Sequence, residues 1–197
     1  LSVLNDVKLF VNTGTFFEYD FSKLPIDENS KLNPKNLYAT TKIAFEEILR
    51  SYSSQLKCIT FKLFSPYGPK DNESKIVPTI INSAIEKKSI KLSSGLQKLD
   101  FIYVDDIVSA YMLTINSYKF LSNAYHVYNI GSGIAISIRE IVSLVEQNLN
   151  CSIEKLWGNT KESDCEVVIA DNFHIKEVLN WQPIYSIHSG LEYTIDY

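Results

Sequence analysis

Tyr38 and Lys42 lie four positions apart, and their side chains together could transfer a proton. Residues at i and i+4 share one face of a helix, where an ammonium group favours the phenolate form of a neighbouring tyrosine. Such a tyrosine can exchange a proton with an alcohol or a carbonyl, and a hydride carrier beside it completes a ketone–alcohol redox couple. The same spacing also fits a solvated pair without a chemical role.

Tyr19 and Lys23 have the same spacing and are the competing pair. Lys23 is followed by Leu24 and Pro25 within a polar stretch, and proline disrupts the interior of a helix. Tyr38, in contrast, opens a segment with helical periodicity. The sequence therefore favours Tyr38 as the proton-transferring residue.

The elements around Tyr38 follow from hydrophobic periodicity and turn residues. Residues 37–52 are predicted to form a helix with an apolar face, and residues 20–36, with Pro25 and Pro34, a surface loop. A capping box is predicted at 137–140. The apolar face of the predicted helix 37–52 comprises Ala44, Phe45, Ile48 and Leu49. Strands are predicted at 7–12, 59–64, 90–93, 101–104, 125–130 and 167–170, and further helices at 77–86, 105–115, 137–148 and 172–179.

Strands that alternate with helices in this way predict βαβ units on a parallel sheet. Doubly wound sheets bind their ligands at the carboxyl ends of the strands. The loops that follow the first two long strands, 13–15 and 64–66, are therefore the expected site.

Composition and charge exclude several functional classes. A net charge of −4 without basic runs argues against nucleic-acid binding. No apolar stretch reaches the roughly 18 residues that a membrane helix needs. The cysteines Cys58, Cys151 and Cys165 fit neither a zinc site nor a disulfide framework. We expect a cytoplasmic protein with reduced thiols and without a metal or a membrane partner.

Seven segments in order resemble the extended short-chain dehydrogenase/reductase family, the NAD-dependent epimerase/dehydratases, over essentially the whole chain. They are FVNTGTFFEY at 10–19, LYATTK at 37–42, FKLFSPYGP at 61–69, DFIYVDD at 100–106, YNIGSG at 128–133, the capping box at 137–140 and LNWQP at 179–183. The resemblance implies an α/β fold, namely the C-terminal part of a Rossmann-like doubly wound parallel sheet plus a small mixed α/β substrate-binding domain. Residues 1–66 would belong to the first and 67–197 mainly to the second, with 104–130 returning to the Rossmann sheet.

The resemblance also implies roles for individual residues. Tyr38 would donate or accept the proton at the sugar oxygen, and Lys42 would in addition hold the nicotinamide ribose of NAD or NADP. Thr15 would hydrogen-bond the reacting oxygen. Thr13 would lie nearer the cofactor, although a loop-capping hydroxyl is an equal alternative. The pair facing nicotinamide and sugar would be Phe64 and Ser65, and the nucleotide-sugar contacts Lys75, Lys161 and Asp164; each of these three could instead be a solvated charge.

Three departures from the family pattern matter. Leu99 stands where an arginine often clamps the diphosphate, and the neighbouring Lys98 offers only a point charge. Phe16 and Phe17 replace the Asp-Glu pair of the dehydratases, which disfavours water elimination. No strand, Gly-rich turn and helix opens the chain, and the glycines at 131 and 133 lack the third glycine. We expect that about 100 residues, some three βαβ steps, precede this segment in a complete protein.

Within the family, the loops at 12–16 and 65–69 look most like nucleotide-sugar 4-reductases of the CDP-abequose and CDP-paratose synthase group. These make deoxyhexoses for surface polysaccharides by reducing a nucleotide-linked 4-keto-6-deoxy sugar. One alternative is a nucleotide-sugar 4-epimerase that holds NAD tightly. Another is a non-catalytic remnant of a truncated or frameshifted gene. Expected partners are a second copy, through helices such as 37–52, or a complementary N-terminal chain.

Overall fold

The structure, a computed structural model, describes residues 7–122, 124–158 and 167–197. The strands are β1 (Leu9–Thr15), β2 (Lys57–Leu63), β3 (Ser65–Tyr67), β4 (Ile90–Lys91), β5 (Lys98–Tyr103), β6 (Tyr125–Ile130), β7 (Ala135–Ser137) and β8 (Lys155–Leu156). The α-helices are α1 (Leu37–Ser51), α2 (Ile76–Ile85), α3 (Val104–Ser117), α4 (Ile138–Asn148), α5 (Phe173–Leu179) and α6 (Ile187–Ile195). Short 3₁₀ turns cover Phe16–Glu18 and Tyr118–Phe120.

The main sheet has the strand order β1-β2-β6, and all its strands are parallel. Because Thr15 pairs with Leu63 and Leu63 with Ile130, the carboxyl ends of the three strands meet at one edge. Helix α1 packs on one face through Leu49, and α3 and α5 pack on the other. Parallel sheets need such cover on both faces. The α/β class and the Rossmann-like parallel sheet are therefore confirmed.

A second, smaller unit is built around the strand order β3-β5-β7. Strand β3 is parallel to β5, whereas β7 is antiparallel to it, so this sheet is mixed. Helices α2, α4 and α6 close its core with Val77, Ile80, Ile138, Ile141 and Leu191. Strand β2 leads into β3 through Phe64, which makes residues 64 and 65 the link between the two units.

Two carboxylates of the DFIYVDD segment connect the two units. Asp100 is fully buried and accepts hydrogen bonds from the N–H groups of Ser132 (2.6 Å), Gly133 (2.9 Å) and Ala170 (3.0 Å). Asp106, in the first turn of α3, accepts the N–H groups of residues 184 and 185 at 2.8 and 3.2 Å. A Cβ at position 131 would lie 2.7 Å from the Asp100 carboxylate, so this close approach requires glycine.

Residues 20–36 differ from the predicted surface loop because their middle enters the core. Ile26 is fully buried, its N–H donates to the carbonyl of residue 169 at 2.9 Å, and it forms a β-bridge with Ala170. The predicted strand at 167–170 is accordingly reduced to isolated bridges, because its backbone bonds are divided between Ile26 and Lys98. No helix forms over residues 19–23, so the Tyr19–Lys23 pair is not aligned on one face.

Helix α1 begins and ends close to the prediction, but its buried face is different. Leu49 is buried as expected, whereas Ala44 is exposed, Phe45 is 40% and Ile48 53% exposed, and Glu46 is buried in their place. Beneath the helix, the Glu46 carboxylate lies 3.3 Å from the ammonium of Lys62 in β2. None of the described helices is long and apolar enough to cross a bilayer.

Candidate active site

Helix α1 starts beside the carboxyl end of β1, and its first turn carries Tyr38. The side chain of Asn36 caps the helix by accepting the N–H of Ala39 at 2.8 Å. An asparagine cap satisfies one of the free N–H groups of the first turn and fixes where the helix begins. The side chain of Tyr38 is therefore set at the edge of the sheet, where it is 53% exposed.

Lys42 joins this helical turn to the end of β1. Its Nζ lies 5.6 Å from the centre of the Tyr38 ring and donates a hydrogen bond to the carbonyl oxygen of Thr13 at 2.8 Å. The structure thus brings the predicted Tyr38–Lys42 pair together and places it next to the strand that ends at Thr15.

Thr15 is the last residue of β1 and caps the 3₁₀ turn that follows. It is nearly buried; its N–H donates to Oε1 of Glu18 at 2.8 Å, and its Oγ1 accepts the N–H of Phe17 at a long 3.4 Å. A threonine hydroxyl that accepts one bond still has its own proton to donate. Thr15 can therefore supply a hydrogen bond to an oxygen atom at this edge of the sheet.

Thr13 has a different position from Thr15. Its hydroxyl forms a hydrogen bond with the hydroxyl of Tyr111, on α3 at the other face of the sheet. Burial raises the pKa of the Tyr111 phenol, which keeps it neutral. The Thr13 hydroxyl is thus occupied within the fold, and Thr13 contributes to the site through the carbonyl that holds Lys42.

A cavity of about 240 Å³ opens beside this edge, against Ser65 and Lys75. Its other walls are mainly apolar, and the Phe16 and Phe17 rings stack there with 4.1 Å between their centres. The ammonium of Lys75 forms an ion pair with Asp71 at 2.9 Å. The cavity is also lined by Pro66, Tyr67, Ile76, Val77, Leu99 and Phe101.

Phe64 is fully buried and stacks on Phe16, with 5.6 Å between the ring centres. Its N–H bonds to the carbonyl of Ile130 at 2.9 Å. A contact between Phe64 and a cofactor would therefore have to use its carbonyl oxygen. Lys161 and Asp164, which were predicted to contact the nucleotide, lie outside the described residues. Among the residues that the structure describes, no group of three or more His, Cys, Asp or Glu could hold a metal ion.

Lys62 is a site-proximal residue that the sequence reasoning missed. It is buried in β2, and its Nζ lies 3.0 Å from Oε2 of Glu18 and 3.3 Å from Oε2 of Glu46. Burial raises the pKa of the Glu18 carboxyl, although Lys62 acts in the opposite direction. The signal in the sequence was a lysine inside an otherwise apolar strand, because a charge buried there requires a partner.

Two curated proteins illustrate what this chain is similar to. CDP-abequose synthase of Salmonella typhimurium is 28% identical over 98% of this chain and 63% of its own length. UDP-glucuronate 4-epimerase of Thermodesulfobacterium geofontis is 32% identical over 97% of this chain and 59% of its own length. The chain spans about three-fifths of the length of these relatives.

Solved structures share the fold. UDP-glucuronic acid 4-epimerase from Bacillus cereus, in complex with UDP-glucuronic acid and NAD, matches with a TM-score of 0.89 at 23% identity and covers all of this chain and 63% of that one. Pal from Bacillus thuringiensis matches with a TM-score of 0.82 at 27% identity over 95% and 61% of the two chains. The profile of the NAD dependent epimerase/dehydratase family matches residues 2–131, more than half of the chain. With the Tyr38–Lys42 helix and the parallel sheet in place, this match shows that the chain belongs to that family, the extended short-chain dehydrogenases/reductases.

Proposed function

We propose that this chain carries the proton-transfer and substrate-binding part of an NAD(P)-dependent reductase of nucleotide-linked 4-keto-6-deoxy sugars. The observation that carries the proposal is the Lys42–Thr13 hydrogen bond, which fixes the Tyr38 turn to the strand that ends at Thr15. A phenol, an ammonium and a hydroxyl at one sheet edge are the groups that protonation of a ketone oxygen requires. The similarity to CDP-abequose synthase supports the same class of substrate.

In this proposal each residue has one task. The exposed phenol of Tyr38 delivers the proton to the sugar oxygen, and Lys42 stabilises the phenolate that remains. The Thr15 hydroxyl donates to the same oxygen and orients it. A nicotinamide cofactor, when bound beside Lys42, would supply the hydride for C4 of the sugar.

The residues present fit the nicotinamide end of such a cofactor. Lys42 has three donors and uses one of them for Thr13, so two can bind ribose hydroxyls. The pyrophosphate end needs backbone N–H groups of a Gly-rich turn at a helix start, and these 197 residues contain no such turn after a strand. We therefore propose that a complementary N-terminal segment, in the same or another chain, binds that end.

The cavity beside Ser65 supports a sugar nucleotide as the substrate. Ser65 and Lys75 are among its lining residues, its wall is almost wholly apolar, and the stacked rings of Phe16 and Phe17 form part of that wall. An apolar wall suits a deoxygenated carbon of the sugar better than a hydroxyl group, because an unpaired polar group is costly to bury.

A nucleotide-sugar 4-epimerase is the second candidate. The 32% identity to UDP-glucuronate 4-epimerase favours it, and Tyr38, Lys42 and Thr15 could serve both reactions. An epimerase returns the hydride to the sugar and leaves the cofactor unchanged overall, whereas a reductase consumes reduced cofactor.

The two candidates can be separated in one assay. The protein is combined with the N-terminal segment of the Salmonella CDP-abequose synthase and given NADPH or NADH with CDP- or dTDP-4-keto-6-deoxyglucose. We expect stoichiometric loss of reduced cofactor and a C4 alcohol in the sugar spectrum. Interconversion of UDP-glucuronate without net cofactor loss would favour the epimerase. A folded, cofactor-binding complex without either reaction would contradict both and favour a non-catalytic remnant.

A further inference from the structure

Three buried charges lie directly beneath the Thr15 loop. The side chains of Glu18, Lys62 and Glu46 are 0%, 2% and 7% exposed, and the ammonium of Lys62 bridges the two carboxylates at 3.0 and 3.3 Å. The face of the Tyr19 ring covers the same ammonium, at 4.5 Å from the ring centre. We call Glu18, Lys62 and Glu46 the buried ion cluster.

Each member of the buried ion cluster comes from a different element. Glu18 ends the 3₁₀ turn that follows Thr15, Lys62 lies in β2, and Glu46 lies on α1 one helical turn beyond Lys42. Residues i and i+4 stack along one side of a helix, so Glu46 and Lys42 share that side. The cluster therefore connects the turn that carries Thr15 to the helix that carries Tyr38.

The connection to Thr15 is direct. Glu18 uses Oε1 to accept the Thr15 N–H at 2.8 Å and Oε2 to pair with Lys62. Gly14, opposite Lys62 in the register, leaves no spare space: a Cβ there would lie 2.7 Å from Oε1 of Glu18. A displacement of the Lys62 ammonium would thus move the Glu18 carboxylate and, with it, the backbone of Thr15.

Stability alone is a poor reason for such a cluster. A buried ion pair is seldom more stable than apolar side chains of the same volume, and here two carboxylates share one buried ammonium, with the half-exposed Arg50 3.5 Å from Oε1 of Glu46 as a further cation. Positioning of a reacting group is a better reason, because a shift of about 1 Å can cost about 100-fold in rate.

We propose, on the basis of the proposed function, that Lys62 is a positioning residue: through Glu18 and Glu46 it sets the Thr15 hydroxyl relative to Tyr38 and Lys42.

Lys62→Met tests this proposal, with Lys62→Arg as the conservative variant and Lys57→Met as the matched control. Lys57 lies in the same strand, and its ammonium donates to the carbonyls of Tyr118 and Leu121, far along the chain from Thr15. Nuclear magnetic resonance of the 197-residue protein reports the Thr15 amide and the Tyr38 ring. We expect Lys62→Met to shift both signals and to abolish the exchange protection of the Thr15 amide, Lys62→Arg to restore them, and Lys57→Met to change neither.

Glu18→Gln provides a second route if Lys62→Met does not fold. Its amide places N–H donors against the Lys62 ammonium where the carboxylate oxygen was, which displaces the oxygen that accepts the Thr15 N–H, so we expect the same loss of protection. In the complemented enzyme, Lys62→Met should lower kcat about 100-fold and change KM far less. The proposal is overturned if Lys62→Met and Glu18→Gln leave the Thr15 amide signal, its exchange protection and the Tyr38 ring signal unchanged, as is expected for Lys57→Met. Absence of turnover in the complemented enzyme without any substitution would contradict the proposed function. The resonance signals would still test the role of Lys62 separately.

Discussion

Two threonines two residues apart have opposite roles in this site. The Thr13 hydroxyl turns to Tyr111 beneath the sheet, whereas the Thr15 hydroxyl remains at the edge with a proton to donate. The alternation of side chains along a strand does not account for this, because Thr15 already caps the next turn. In the proposed function the hydroxyl that meets the substrate is therefore that of Thr15, while the backbone carbonyl of Thr13 holds Lys42.

Tyr38→Phe should remove nearly all turnover of the complemented enzyme with little loss of cofactor binding. In the proposed function the phenol is the proton donor, and general acid catalysis contributes about 10²- to 10⁴-fold. Steady-state kinetics and calorimetric titration would measure the two effects. The matched control is Tyr19→Phe: Tyr19 is buried and its hydroxyl donates to Asn129 at 2.9 Å, so that change should cost stability of about 1 kcal/mol. Unchanged turnover in Tyr38→Phe would assign the acid to another group.

At the scale of elements, the DFIYVDD segment forms hydrogen bonds that connect the two sheets. The Asp100 carboxylate accepts hydrogen bonds from the loop after β6 and from the β-bridge at residue 170, while the Asp106 carboxylate accepts them from the loop before α6. Trp181 adds a hydrogen bond from its indole N–H to Ser109 at 2.9 Å. The bonds to Asp100 and Asp106 connect the second unit to the first, and the cavity beside Ser65 is lined by Phe16, the residue after Thr15.

Asp100→Ala should lower the free energy of unfolding by about 3 kcal/mol or more. The change leaves the N–H groups of Ser132, Gly133 and Ala170 without their acceptor, and each unsatisfied buried group costs about 1–3 kcal/mol. Denaturant unfolding measures the loss. The control, Asp105→Ala, alters an exposed carboxylate in the same segment and should remain within about 0.5 kcal/mol. Equal effects of the two changes would contradict the anchoring role.

Glu146 should make the end of α4 sensitive to acid. Partial burial tends to raise its pKa, but hydrogen bonds from Lys155 and the N–H of Ile153, both at 2.6 Å, hold the pKa below its ordinary value. The stabilisation is therefore present above the unfolded-state pKa and is lost as the pH falls through the lower folded-state pKa. Unfolding across pH should show Glu146→Gln less stable at neutral pH and equal to the parent in acid. Glu154→Gln, at an exposed position, should show no such convergence; a pH-independent difference for Glu146→Gln would be inconsistent with this account.

Local signals in the sequence predicted much of the fold. Strand β6 has the predicted bounds, and the Ser137–Glu140 capping box begins α4 as expected, because both depend on neighbouring residues. The burial of Tyr19 and Ile26 depends on Asn129 and Ala170, more than a hundred residues away, and no local pattern reports it.

The candidate site divides in the same way. The Tyr38–Lys42 pair follows from helical spacing, so the sequence predicted it. The contacts around the pair do not follow from helical spacing. The bond from Lys42 to the Thr13 carbonyl and the Glu18–Lys62 contact form only when β1, α1 and β2 assemble. Phe45 and Ile48 belong to the predicted apolar face of α1 but are exposed, because hydrophobicity alone does not show which apolar residues of a helix pack on the sheet.

At the scale of the whole molecule, the site lies where the parallel sheet meets the mixed sheet. Strand β2 ends at Leu63 in the first sheet, and the chain continues through Phe64 into β3 of the second, so the strand that pairs with Thr15 leads directly to Ser65 at the cavity. In the described part of the chain, β1 lies at the outer edge of the parallel sheet and pairs only with β2. In the proposed function, this edge is where the complementary segment would add its strands.

The 197-residue protein alone should show no saturable binding of NADH or NADPH. Lys42 can hold the ribose, but the pyrophosphate requires the N–H groups of a Gly-rich turn, which these residues do not contain. Addition of the N-terminal strand–turn–helix segment of CDP-abequose synthase should create binding that calorimetry detects. The control is the same segment with its turn glycines replaced by valine, which blocks the close approach of the backbone and should abolish the gain. Micromolar binding by the 197-residue protein without any addition would show that it forms a dinucleotide site by other means, and the proposed division of the cofactor between two segments would then be wrong.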